Sequence, residues 1–309
     1  MEDRQPLLSV GFSVDYPNRP RTLKHVFFDL GNGEMLGLVG QSGAGKSTIC
    51  LAILKLLALK GGRTAGHITF CGQDLMKLPE REMRRIRGRE IGLVLQSPLS
   101  SLNPALRIST QLAEAWRAHA SGTKHDCAAH VARALASVAL PQDREFLDRY
   151  PSQLSIGQAQ RVLIAMAVMH GPSLLIADEP TSALDVITQA EIIKLFADLN
   201  RTMGSALLYI SHDLLSVLSL CHRIAILHEG EIVECGPVQQ LVANPTHPYT
   251  KRLIGALPRG LDHLSSKRPL TFPVPLLPLG ADKRARRVVL QSVLSPGAIE
   301  GEQPVPPQH

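Results

Sequence analysis

The chain lacks a paired cysteine motif. Its five cysteines, Cys50, Cys71, Cys127, Cys221 and Cys235, are scattered with no C-x-x-C among them, so neither a disulfide framework nor a zinc site organises the fold and a reduced cytosolic setting is expected. It also lacks any apolar run of about 18 residues, the length a helix needs to cross a bilayer. The opening MEDRQPLLSV is acidic and has no long apolar core, which argues against a secretory signal. If this protein works at a membrane, other chains must do the spanning. No internal repeat is present, so the chain is not an array of like units. What is present is 309 residues at 44% hydrophobic content, enough for one large domain and an appendage. A net charge of +6 permits an acidic ligand, a nucleic acid or a membrane surface without selecting among them.

Patterning along the chain indicates an α/β fold. Alternating apolar residues in LLSVGFSVDY predict an early strand ended by the turn PNRP. EMLGLVG reads as a buried strand, followed by the glycine-rich QSGAGKST and the helical ICLAILKLL. GHITFCGQDL predicts a short strand and turn, REIGLVLQ a further strand, and the Ala-rich stretch Leu112 to Leu140 a helical segment. SLLIAD and ALLYIS are two more apolar strands with a helix between them at TQAEIIKLFADLN, and RIAILHEGEIVECG predicts a closing hairpin. Strands alternating with helices give a parallel sheet, here preceded by an N-terminal antiparallel β element and interrupted by an inserted α-helical subdomain at about 97–160. The expected domain is 1–257. From 258 to 309 prolines are frequent, which predicts an extended or partly disordered extension rather than another packed domain.

The strongest chemical signal is GQSGAGKS, Gly40 to Ser47, a complete G-x-x-x-x-G-K-[ST] between a strand and a helix. Glycines at 40, 43 and 45 let the backbone N–H groups and the helix N-terminus face phosphate oxygens. Lys46 adds a cation near the β and γ phosphates, and the Ser47 hydroxyl can ligate Mg²⁺. A phosphate site also needs a metal ligand and a group to orient water. LLIADEP offers both at the end of a buried strand, Asp178 for the metal and Glu179 for the water, although an Asp-Glu pair there can also be a solvated turn or a helix cap. Gln96, ending GLVLQ, could reach metal and water, and His212 in LLYISHD could bond the γ phosphate. A lone His after a strand is more often a capping or surface residue, and a lone Gln has no role; their equivalent placement at strand ends raises both.

Together these residues resemble the P-loop ATPases of the ATP-binding cassette (ABC) family. The resemblance runs through the phosphate loop Gly40, Gln41, Ser42, Gly43, Ala44, Gly45, Lys46, Ser47 and Thr48, the glutamine loop at Gln96, and a signature at Leu154 to Gln158. It continues through LLIADEP with TSALD to Asp185, and through His212. Six motifs in order, from Gly40 to His212, carry it. The resemblance implies a P-loop NTPase core, MgATP hydrolysis with Mg²⁺ at Ser47, Gln96 and Asp178, and two chains sandwiching two ATP molecules head to tail. Each site would use the partner's signature, here Ser155, Ile156, Gly157 and Gln158, with Asp185 in the dimer loop. Tyr16 matches the family's adenine-stacking aromatic, a core aromatic being the other reading.

A finer resemblance connects QSPLSSLNPALRI and NPTHPYTKRLIGALP with the ATPase subunits of oligopeptide, dipeptide and nickel importers. That group often carries cysteines for an iron–sulfur cluster in its extension; this chain has none after Cys235, so no cluster is expected. The implied role is an energy-coupling subunit at the cytoplasmic face of the inner membrane. Its implied partners are a second ATPase, like or unlike, two permeases that engage the chain near residues 97–110, and a solute-binding protein for peptide, nickel or a metal chelate. A soluble ATPase acting on nucleic acid or the ribosome is the alternative, weighed down by the absence of a long coiled-coil insertion or a second cassette. A non-hydrolysing regulator conflicts with Glu179 and His212 being intact. The basic run Lys283 to Arg287 reads as a solvated charge run, with a contact to anionic lipid or to a partner the other reading. Ile156 stands where the family's Leu-Ser-Gly-Gly-Gln has its first glycine. If that position needs φ > 0, a β-branched residue weakens the site; if it is helical, the residue is tolerated.

Overall fold

The computed structural model describes residues 5–257; the proline-rich extension and the basic run at 283–287 lie outside the described residues. Leu8, Val10, Phe12 and Val14 are buried in alternation with more exposed neighbours, the period of a strand with one face on a core, and they form β1 (Leu8–Tyr16). The chain turns into β2 (Arg19–Leu30), then β3 (Met35–Gly40), whose six residues are all buried, as in a parallel strand covered on both faces. There follow α1 (Lys46–Ile53), β4 (Arg63–Phe70), β5 (Gln73–Asp74), α2 (Glu80–Ile86) and β6 (Ile91–Val94). A helical stretch contains α3 (Pro98–Ser101), α4 (Ile108–Arg117), α5 (Lys124–Ser137), α6 (Arg144–Leu147) and α7 (Ile156–Val168). The order closes with β7 (Leu174–Asp178), α8 (Val186–Met203), β8 (Ala206–Ser211), α9 (Leu214–Leu220), β9 (Arg223–His228), β10 (Glu231–Pro237), α10 (Val238–Ala243) and α11 (Pro248–Gly255).

Two elements differ from their sequence reading. Helix α1 starts earlier and stops earlier, at Ile53, because Lys55 takes φ 53° and the Arg87 side chain donates to the Leu54 carbonyl at 2.7 Å, ending the ladder. The Ala-rich stretch is two helices, α4 and α5. The break at Ser121–Gly122 leads into Thr123, whose side chain accepts from the Asp126 N–H while Asp126 accepts from the Thr123 N–H, a reciprocal cap that starts α5 afresh.

Among the described residues ten strands form one sheet in the order β5-β4-β1-β2-β10-β9-β3-β8-β7-β6. Strands β9, β3, β8, β7 and β6 are parallel neighbours, and β1 pairs antiparallel with β2 and β4. The closing hairpin β9–β10 is antiparallel. Alternate residues of each central strand serve opposite cores. Leu36 and Leu38 of β3, with Leu208 and Ile210 of β8, pack with α1 and the antiparallel element; Met35 and Val39, with Leu207 and Tyr209, pack with α4, α5 and α7 to α9. Each fully buried aliphatic side chain contributes about 1.5–3 kcal/mol relative to exposure, so this division fixes strand register more firmly than backbone pairing does. Because the central strands run one way, Gly40, Val94, Asp178 and Ser211 all end at the same edge, and the loops after them share one rim.

Candidate active site

The phosphate loop leaves β3 at Gly40 and enters α1 through Gly45, which has φ 103°, a conformation that side chains disfavour. A Cβ on Gly45 would also lie 2.7 Å from Leu23 Cδ2. Gly45 gives α1 no side-chain cap, so the first-turn N–H groups of the helix are left for an anion. Lys46 is buried, and its ammonium donates to the carbonyls of Gly40 at 2.9 Å and Gln41 at 3.1 Å. Folding its charged end back along the loop fixes it over the place where phosphates would lie.

Glu179 is where the strand-end residues meet. Its Oε1 lies 3.2 Å from Lys46 Nζ, and its Oε2 accepts from Gln96 Nε2 at 3.3 Å and lies 3.1 Å from His212 Nδ1. A carboxylate only accepts, which assigns the proton of that contact to Nδ1. Glu179 itself has φ 48°, unusual for a residue with a side chain and the kind of strain that collects at working sites. The surroundings enforce it: its N–H donates to the Ile210 carbonyl at 2.9 Å, and Ser182 Oγ donates to its carbonyl at 3.1 Å. Two residues on, Thr181 is buried and shares a hydrogen bond of 3.2 Å with the Tyr209 hydroxyl of β8.

Asp178 ends β7 with its Oδ1 buried and without a hydrogen-bond partner among the described residues. Burial pushes its carboxyl pKa up, opposed in part by the neighbouring Ser47 hydroxyl, which favours the charged form. An orphaned carboxylate oxygen beside a serine hydroxyl suits a hard cation with oxygen ligands, so the residues present fit Mg²⁺.

The signature sits apart from this cluster. Ser155 caps α7: its Oγ accepts from the Gln158 N–H at 3.1 Å, and Gln158 Oε1 accepts from the Ser155 N–H at 3.1 Å. Ile156 is the first residue of α7, absent from the positive-φ residues, and its side chain is 44% exposed. The left-handed conformation that would have strained a branched residue is therefore not required there. Gly157 is constrained differently: a Cβ would lie 2.8 Å from Thr188 Cγ2. Asp185 caps α8, accepting from the Ile187 and Thr188 N–H groups and from Thr188 Oγ1 at 2.7 Å, which turns the threonine methyl toward Gly157. Arg161 adds a second tie, donating to Glu191 of α8 at 2.9 Å. Tyr16 ends β1 partly buried, against Gly62, where a Cβ would lie 2.9 Å from the ring. Thr188 and Arg161 escaped the sequence reading because each acts through a neighbour on another element and neither belongs to a spaced motif; Thr181 lies inside TSALD, but its bond to Tyr209 carries no sequence signal.

Comparison with known proteins agrees with this geometry. A family model described as ABC transporter matches residues 23–182, and one described as oligopeptide/dipeptide transporter, C-terminal region, matches 233–271. The chain is 41% identical over 238 residues to the dipeptide transport ATP-binding protein DppD of Escherichia coli, covering 77% of this chain and 73% of that one. It is 42% identical over 274 residues to the peptidoglycan transport ATP-binding protein YejF of Agrobacterium fabrum, covering 87% of this chain but only 50% of that protein. Among solved structures, the ATP-binding cassette MJ0796, a dimer in a post-hydrolysis state bound to ADP and Pi, superposes with a TM-score of 0.64 at 26% identity, over 75% of this chain and 98% of that one. With the phosphate loop, the strand-end carboxylates and the signature on one α/β core, the chain belongs to the ABC transporter family of ATPases.

Proposed function

We propose that this chain is the ATP-hydrolysing, energy-coupling subunit of an importer for peptide-like cargo. One observation supports it most: Lys46, Gln96 and His212 converge on Glu179 at the rim of the phosphate loop. The extension with its His-Pro-Tyr sequence at 247–249 favours the oligopeptide and dipeptide group, with nickel or a metal chelate the other cargo of that group. Bound Mg²⁺ would neutralise charge between the β and γ phosphates, and Ser47, Asp178 and Gln96 are the residues that would hold it. No iron–sulfur cluster belongs to this proposal.

The chain's own residues supply the rest. The loop N–H groups and α1 N-terminus bind the triphosphate, and Lys46 meets its terminal oxygens. A γ phosphate competes with Glu179 for the Lys46 ammonium, so binding releases the carboxylate to accept a proton from water aligned for attack. His212, released at the same time, turns its N–H to the phosphate. Ser155 and the N-terminus of α7 would complete the site of a second ATPase subunit, like or unlike. Among the described residues no helix is long and apolar enough to cross a membrane, so two permeases would do the spanning, with this chain peripheral on their cytoplasmic side and a solute-binding protein opposite. The nucleic-acid or ribosome alternative draws no support from the relatives named above, both of which are transport proteins.

Affinity purification of the tagged chain from detergent-solubilised membranes tests this reading. It should recover two polytopic membrane proteins whose association changes with MgATP. Recovery with ribosomes or nucleic acid in their place would overturn it.

A further inference from the structure

His212 is exposed, and the one side-chain contact it makes among the described residues is to Glu179 at 3.1 Å. A γ phosphate that takes Lys46 from Glu179 also frees the histidine, so its place is then set by the backbone on either side. Both neighbours are pinned. Ser211, buried at the end of β8, accepts at its Oγ from the Asp213 N–H at 3.0 Å. The Asp213 carboxylate caps α9, Oδ1 accepting from the Leu215 N–H at 3.0 Å and Oδ2 from the Ser216 N–H at 3.3 Å. Ser216 Oγ donates back to the Asp213 carbonyl at 2.7 Å.

These bonds are local and shape the turn; a further one fixes it to another helix. Gln189, half-buried one turn into α8, donates from Nε2 to Asp213 Oδ2 at 2.7 Å. A carboxylate only accepts, which places the amide nitrogen rather than the oxygen against it. The helix that carries Gln189 is itself tied down. Its own N–H donates to the Asp185 carbonyl at 2.8 Å, and Arg161 of α7 donates to Glu191 of the same helix at 2.9 Å. Toward the other end Asn200 donates to the carbonyls of Gly33 at 3.0 Å and Ser205 at 2.8 Å. Gln189 therefore passes the position of α8 to the turn that carries His212.

We propose that Gln189 is a positioning residue for hydrolysis: by holding the Asp213 carboxylate it keeps His212 where its imidazole meets the γ phosphate as charge develops there. The inference rests on His212 having that task. Gln189 lies outside the motifs and acts only through Asp213. An interaction made more strongly in the transition state than in the ground state governs kcat, so a displaced His212 should slow turnover and leave binding alone.

The test is steady-state MgATP hydrolysis by the assembled complex, paired with binding of a non-hydrolysable ATP analogue and magnesium to the full chain. Gln189→Leu removes the donor at similar volume, and Gln189→Glu sets a second carboxylate against Asp213. In the first kcat should fall about three- to tenfold, and in the second further, with KM and analogue affinity within about twofold. The melting temperature of Gln189→Leu should stay within about 2 °C. Adding Asp213→Asn to Gln189→Glu rebuilds the bond with donor and acceptor exchanged and should recover at least about half of the lost rate; adding it to Gln189→Leu should recover none. Unchanged kcat in both single variants overturns the proposal, as does a loss that only follows the melting temperature, a loss confined to KM, or equal recovery in both double variants. His212→Ala in the same assay separates the two layers. If it stops hydrolysis while the Gln189 variants are unaffected, the positioning role alone fails; if it leaves hydrolysis unchanged, the task given to His212 fails and the inference with it.

Discussion

At the scale of single residues, the site is built from side chains that have been given one orientation each. Ile156 is the informative departure, because a branched residue is costly only where the backbone must turn left-handed, and here it begins α7 in helical conformation. Ile156→Gly should therefore change the ATPase rate of the assembled complex by less than about twofold. A clear rise in rate or in ATP-induced dimerisation would show that the exposed side chain hinders the opposing subunit. Gly157 is the position that cannot be changed cheaply. Gly157→Ala should lower stability by about 1–3 kcal/mol through the contact with Thr188 Cγ2, measured by denaturant unfolding. Adding Thr188→Ser, which deletes that methyl and keeps the hydroxyl bonded to Asp185, should recover much of the loss. If it recovers none, the close approach is not what makes glycine necessary.

At the scale of elements, caps and anchors decide where helices begin and which of them stay docked. The Glu234 carboxylate is an example with a pH signature. Partial desolvation opposes its ionisation, but the bonds from Thr246 and His247 prevail and hold its pKa down, at about 2. A carboxyl lowered in the folded state stabilises that state above its unfolded pKa of about 4.3 and loses the contribution as pH falls toward 2. The docking of α11 should therefore weaken between about pH 4.5 and 2. Glu234→Gln should flatten this part of the melting-temperature profile; an unchanged acid limb would deny the anchor. The elements themselves were legible to different degrees. Strands β1, β3, β7 and β8 announced themselves through period or unbroken apolar runs, and the phosphate loop through spacing. The division of the Ala-rich stretch into α4 and α5 was not read, because a reciprocal cap at Thr123 and Asp126 overrides uniformly high helix propensity.

At the scale of the whole molecule, one sheet divides two cores and gathers the ends of its parallel strands on one rim, which brings the strand-end residues from Gly40 to His212 to one place. We propose Glu179 as the group that activates water there, held for it by Lys46, Gln96 and His212. The direct measurement is steady-state MgATP hydrolysis by Glu179→Gln in the assembled complex, paired with nucleotide binding. Removing the charge deletes the base and also the competitor for Lys46. Hydrolysis should fall at least about a hundredfold while MgATP binds as tightly as before or more tightly, with the ATP-bound dimer accumulating. Hydrolysis near the wild-type rate, or binding lost along with it, would contradict the account.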